Sequence, residues 1–208
     1  MTRWQTTLAN IIDYPEFHAK FLNTLSLLEY IGSRKIMKSQ DEAHITPMVL
    51  GHMAEEIRHA QILKKMAIKV GGHQVKNYAD HSLLCGTEGR AYIQAIDHKA
   101  EEVLDQKDSW ANYLLTTLIV EERAQEIYPL YDSLLEKYKL SGPLKGIVRE
   151  EEEHLAQVTE LLKSQANCSD EMIEKVREEE RKFFKNFFIA VEKEFSKHLL
   201  ESTAMEMR

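Results

Sequence analysis

Two short units in the chain pair residue types that can bind metal: Glu56-Ile57-Arg58-His59 and Glu151-Glu152-Glu153-His154. Three residues apart on a helix places a carboxylate and an imidazole on one face, where both can address one cation. The spacing alone is a weak signal. With 26 Glu and 9 His in 208 residues, chance produces about one such pair.

The residues around each unit say more. In phase with Glu56 and His59 are Val49, Met53, Ala60 and Leu63, and flanking Glu151 and His154 are Ile147, Leu155 and Val158. Ionisable groups on an apolar stripe are costly to bury unless paired or bound to a metal. Two lone carboxylates repeat the theme. Glu29 interrupts the stripe Leu22, Leu25, Leu28, Gly32, Ile36, and Glu121 interrupts the stripe Leu114, Leu118, Tyr128, Leu135. Glu29 precedes Glu56 by 27 positions and Glu121 precedes Glu151 by 30, spacings that suit antiparallel helix hairpins. One layout therefore occurs twice: a carboxylate on one helix, then Glu-x-x-His on the next.

Neighbouring residues leave alternatives. Glu122 competes with Glu121, being in phase with Leu115, Ile119 and Pro129; Glu126 is a third option, with a plain role as a partner of Arg123. His52, one turn before Glu56, either faces the site or is an ordinary half-buried histidine. Glu55, Glu150, Glu152 and Glu153 read as solvent-facing or as supports behind the ligands. Tyr128 is a core aromatic or a redox-active or substrate-facing tyrosine. Pro129 should kink its helix.

Positioning these residues requires helices. Period-3.6 patterns predict ligand helices over about 15–39, 46–70, 110–138 and 144–165, with further helices over about 87–105 and 171–204. Pro15 suits a first turn, Gly71-Gly72 a helix end, Lys107-Asp108-Ser109 a break with a fresh N-cap, and Asn167 to Asp170 a stop and a new cap. No alternating run reads as a strand. The expected fold is all-α, one domain over 1–208: a four-helix bundle with a long crossover and an added C-terminal helix. The last helix bears Phe183, Phe184, Phe187, Phe188, Val191, Phe195 and Leu199, which either pack on the bundle, form a homodimer contact or cover a substrate cavity.

Composition narrows the classes. A net charge of −7 argues against nucleic acid as a partner, since phosphate binding draws on clustered Lys and Arg. Cys85 and Cys168 form no CxxC pair, so no zinc ribbon or four-cysteine iron domain is encoded. The N-terminus lacks the apolar core of a signal peptide, and no run approaches the roughly 18 apolar residues of a membrane span. The chain reads as cytoplasmic.

The segments LLEYIGSRKI, MAEEIRHAQIL, LIVEERAQEIYPLY and VREEEEHLAQV resemble the four ligand helices of the ferritin-like di-iron carboxylate superfamily. MAEEIRHAQIL is similar to the second ligand helix of ferritins. VEERAQEIY resembles the third ligand helix of tRNA-modifying di-iron hydroxylases, which keeps tRNA open as a substrate. Pro129 and the HL after the last ligand are similar to aldehyde-deformylating oxygenases. The resemblance covers roughly residues 15 to 165.

It implies a ligand set of Glu29, Glu56, His59, Glu121, Glu151 and His154. Glu56 and Glu151 would bridge two metals, and His59 and His154 would each cap one. Two iron ions are implied, with manganese or a mixed Mn/Fe pair as variants. The implied activity is oxidation or hydroxylation of a small apolar molecule by dioxygen, with an external electron donor. The alternatives are ferritin- or rubrerythrin-like iron oxidation, storage or peroxide reduction, and a metal-free helical interaction protein.

Overall fold

A computed structural model of the chain describes residues 2–40, 42–104, 108–165 and 168–206. Every regular element among them is helical: α1 (Arg3–Ile12), α2 (Pro15–Ser39), α3 (Pro47–Gly71), α4 (Gly86–Leu104), α5 (Ser109–Leu135), α6 (Pro143–Gln165) and α7 (Asp170–Glu206). The start signals act as expected. Pro15 and Pro47 sit in first turns, where their missing N–H costs nothing. Asp108 caps α5 by accepting from the backbone N–H of Trp110 at 3.0 Å and of Ala111 at 3.1 Å. Gly72, with φ of 63° and ψ of −136°, takes a positive-φ conformation open mainly to glycine where α3 ends. The expected break residue Lys107, and Asp105 and Asn167, lie outside the described residues.

Helices α2, α3, α5 and α6 form the four-helix bundle. α2 packs mainly on α3 and α5 on α6, and the two hairpins meet through α2 with α5 and α3 with α6. Between α3 and α4 the chain crosses over in two short 3₁₀ turns, Gly72–Val75 and Asp80–Ser82. Buried polar groups of α2 hold this crossover. Asn23 Nδ2 donates to the carbonyls of Asn77 (2.9 Å) and Ser82 (2.7 Å), and Thr24 Oγ1 exchanges hydrogen bonds with Leu84. They satisfy backbone groups that irregular chain would otherwise bury unpaired.

α1 is an element that periodicity did not reveal. It buries Leu8, Ile11 and Ile12 and packs on α2, α5 and α7. Phe184, Phe187, Phe188, Val191 and Phe195 of the α7 stripe are buried inside the chain and Phe183 partly so; the side chain of Leu199 lies outside the described residues. Phe184 and Phe188 meet Trp4 of α1 edge-on, each at 5.7 Å between centroids, and Phe187 stacks on Tyr92 of α4. α5 continues through Pro129 without a break. No helix among the described residues is long and apolar enough to cross a membrane.

Candidate metal centre

Each ligand helix delivers its ionisable residues to the bundle axis because they lie on the stripe that packs inward. His52, Glu56, His59, Glu121, Glu151 and His154 are all buried, and Glu29, which lines a cavity, is partly so. They gather into two adjoining groups. Ligand-capable atoms of Glu29, Glu56, His59 and Glu151 lie within 4.8 Å of one another, as do those of His52, Glu56, Glu121 and His154. Glu56 belongs to both groups. Glu151 also spans them: its Oε1 is 2.9 Å from His59 Nδ1 and its Oε2 is 3.2 Å from His154 Nδ1. All six residues implied by the resemblance thus meet in one place, and His52 joins them as a seventh.

The three histidines share one arrangement. Each has one ring nitrogen held from behind and the other aimed into the cluster. His59 Nε2 is 2.8 Å from Glu150, His154 Nε2 is 2.6 Å from Glu55, and His52 Nδ1 is 2.7 Å from the Tyr113 hydroxyl. Donation of the outer N–H to these oxygens leaves the inner nitrogen with its lone pair, as a metal ligand requires. The inward nitrogens show the corresponding geometry. His52 Nε2 lies 3.3 Å from both Glu56 Oε1 and Glu121 Oε1, and His59 Nδ1 lies 2.9 Å from Glu151 Oε1. Neither nitrogen makes a well-directed hydrogen bond, whereas the inward Nδ1 of His154 is bonded to Glu151 Oε2 at 3.2 Å.

The surrounding carboxylates separate cleanly. Glu121 faces the cluster, whereas Glu122 turns to α7 and forms a two-point contact with Arg177, one arm at 2.8 Å. Glu126 is exposed and pairs with Arg123. Glu152 and Glu153 are exposed. Glu55 and Glu150 are not free solvent groups: each crosses from its own helix to the histidine of the other Glu-x-x-His unit. Arg58 braces Glu150 at 2.6 Å from the outside. Tyr128 is buried and its hydroxyl donates to Glu29.

Electrostatics test whether a cation fits. Burial, then the charges of Glu56 and Glu151, push Glu29 well above the usual carboxylate range. Burial and Glu151 do the same to Glu121. Burial alone would lower His59, but Glu151 and the charges of Glu29 and Glu56 outweigh it and raise the imidazole to about 10. Burial also opposes ionisation of Glu151, yet His154 and His59 on either side hold it well below its ordinary value. Anions are therefore in excess at the centre and retain protons to limit the repulsion. A pair of divalent cations offsets the same excess, and oxygen with imidazole donors suits first-row transition metals. The donor set fits a metal, in two adjoining positions.

Beside the cluster lies a cavity of about 130 Å³. Glu29, Glu56, Glu121, Glu151 and His52 form one wall, and Leu25, Leu28, Ile93, Val120 and Ile127 supply an apolar lining. Gly32 on α2 lets the Glu56 carboxylate lie against the backbone: a β-carbon there would stand 2.7 Å from Glu56 Oε2. Comparison with models of known protein families, with curated proteins and with solved structures finds no match.

Proposed function

We propose that the chain is a non-haem di-iron oxidoreductase that activates dioxygen to oxidise or hydroxylate a small organic substrate. The observation that carries this reading is the shared wall: carboxylates of the metal cluster line the same cavity as an apolar pocket. A centre built only to oxidise and pass on iron has no need of an apolar chamber beside it. Glu29, Glu56, His59, Glu121, Glu151 and His154, with His52 adjacent, would hold the iron, which when bound would supply electrons and open positions for reducing dioxygen.

The chain's own residues set the conditions. Leu25, Leu28, Ile93, Val120 and Ile127 exclude water and bind an apolar substrate body. Glu55, Glu150 and Tyr113 orient the three imidazoles. The Tyr128 hydroxyl lines the cavity and donates to Glu29, so it holds a proton at the edge of the substrate space. An external electron donor completes the cycle.

The test is oxygen consumption by protein reconstituted anaerobically with Fe(II) and then given a reductant, with and without small apolar compounds. The proposal predicts uptake that rises with a suitable compound and an oxygenated or dehydrogenated product. Oxygen uptake that depends on Fe(II) alone, with ferric mineral accumulating in a large spherical oligomer, would replace it with an iron-storage role.

A further inference from the structure

The cavity has two chemically different ends. One is the carboxylate wall of the metal cluster. The other is a small polar mouth where α2, α4 and α5 meet. There Lys35 Nζ pairs with Asp97 Oδ2, Asn112 Nδ2 donates to Asp97 Oδ1 at 3.2 Å, and Thr116 Oγ1 donates to Asn112 Oδ1 at 3.2 Å. All four residues line the cavity. The lysine and aspartate side chains are only 28% and 33% exposed, so the pair is half withdrawn into the opening.

Distance along the helices fixes the separation. Lys35 lies six residues beyond Glu29 on α2, about 9 Å at 1.5 Å per residue. Thr116 lies five residues before Glu121 on α5, about 7.5 Å on the same basis. A ligand that touches both ends needs a chain of roughly five to six bonds at about 1.5 Å each. The cavity volume gives room for on the order of ten water-sized groups at roughly 10–15 Å³ apiece.

Charge then selects the head group. A half-exposed ion pair is still partly screened by solvent and contributes modestly to stability, so a ligand that re-pairs both charges can open it. A ligand head of one sign would engage one member of the pair and leave the other charge covered and unmatched, which is expensive. A head carrying both an ammonium and a carboxylate satisfies both members at once, with Asn112 and Thr116 as further polar partners. We infer that the Lys35–Asp97 mouth is a head-group site for a zwitterion, and that the cavity takes an apolar α-amino acid with its side chain directed at the metal cluster. The inference rests on the oxygenase reading for its view of the cavity as a substrate site, but binding tests it separately.

The experiment is calorimetric titration of metal-free and Zn(II)-loaded protein with 2-aminooctanoate, octanoate, octylamine and octan-1-ol. The expected result is binding of 2-aminooctanoate at least about tenfold tighter than the other three, the scale of a charge-assisted contact. Lys35→Met and Asp97→Asn should each remove about tenfold for the amino acid and leave octan-1-ol unchanged, with thermal unfolding confirming that both variants fold. Equal binding of octanoate or octylamine, no binding at all, or indifference to both substitutions would overturn the assignment. Oxygen uptake separates the two ideas. An amino acid that binds in this pattern but is never oxidised by the Fe(II)-loaded protein removes the oxygenase reading alone. Oxidation of 2-aminooctanoate at the same rate by wild type and Lys35→Met removes the head-group site alone.

Discussion

Glu55 on α3 lies 2.6 Å from Nε2 of His154 on α6, and Glu150 on α6 returns the contact at 2.8 Å from Nε2 of His59 on α3. Each Glu-x-x-His unit is thus preceded by a carboxylate that serves the opposite unit. The exchange fixes both ring orientations and ties the two hairpins together. Supports of this kind typically contribute 10–100-fold in metal affinity. Glu55→Ala and Glu150→Ala should therefore each weaken metal binding by about that factor and leave the helical content unchanged. Competitive chelator titration with circular dichroism on the same samples checks both halves.

Gly32 gives a sharper test of the carboxylate common to both groups. Alanine is favoured over glycine inside a helix by about 1 kcal/mol, so Gly32→Ala should not destabilise α2 by propensity. Its methyl group would stand 2.7 Å from Glu56 Oε2, however, and must displace that carboxylate. The expected outcome is a melting temperature close to wild type with clearly reduced metal binding. Metal analysis after desalting, alongside thermal unfolding, reads both quantities.

The pH dependence follows from the direction of the shifts. Below 6.5, the ordinary value for imidazole, His59 is protonated folded or unfolded, and its stabilising contribution is fully present. That contribution is lost as pH rises through about 10. Glu29 and Glu121 act in the same sense: their raised values mean the folded chain binds protons more tightly than the unfolded one, so stability falls as pH climbs through them. Metal-free protein should melt progressively lower from pH 6.5 towards 10, and metal-loaded protein should lose much less. Metal binding must also expel these protons. Calorimetry in buffers of different ionisation enthalpy should show more than one proton released per chain near neutral pH.

The α7 stripe should act on stability alone. Phe188 is buried against Trp4, Phe21, Phe184 and Phe187. Phe188→Ala should cost about 3–5 kcal/mol, the usual range for a buried aromatic, without changing metal stoichiometry in the fraction that stays folded. Urea unfolding of the metal-free variant measures it.

The six carboxylates and histidines were legible in the sequence because helical burial is a local, periodic property. A glutamate on an apolar stripe announces itself wherever the stripe packs. Glu121 and Glu122 could not be separated this way, since each is in phase with a different set of apolar residues; the packing of Arg177 on α7 against Glu122 decides it. Glu55 and Glu150 stayed open for a related reason. Each read as solvent-facing or as a support behind the ligands, and only the adjacency of α3 and α6 turns both onto histidines. Tyr113 carries no signal at all, because its partner His52 sits 61 residues away. α1 was missed because its ten residues gain their meaning from α7, whose aromatic stripe they cover.

The central claim is a pair of adjoining metal positions that share Glu56 and Glu151. The most direct measurement is anaerobic titration of the metal-free chain with Fe(II), followed by removal of loose iron and elemental analysis. The account predicts two iron ions per chain, retained together. A single ion per chain, or none, near neutral pH would contradict it.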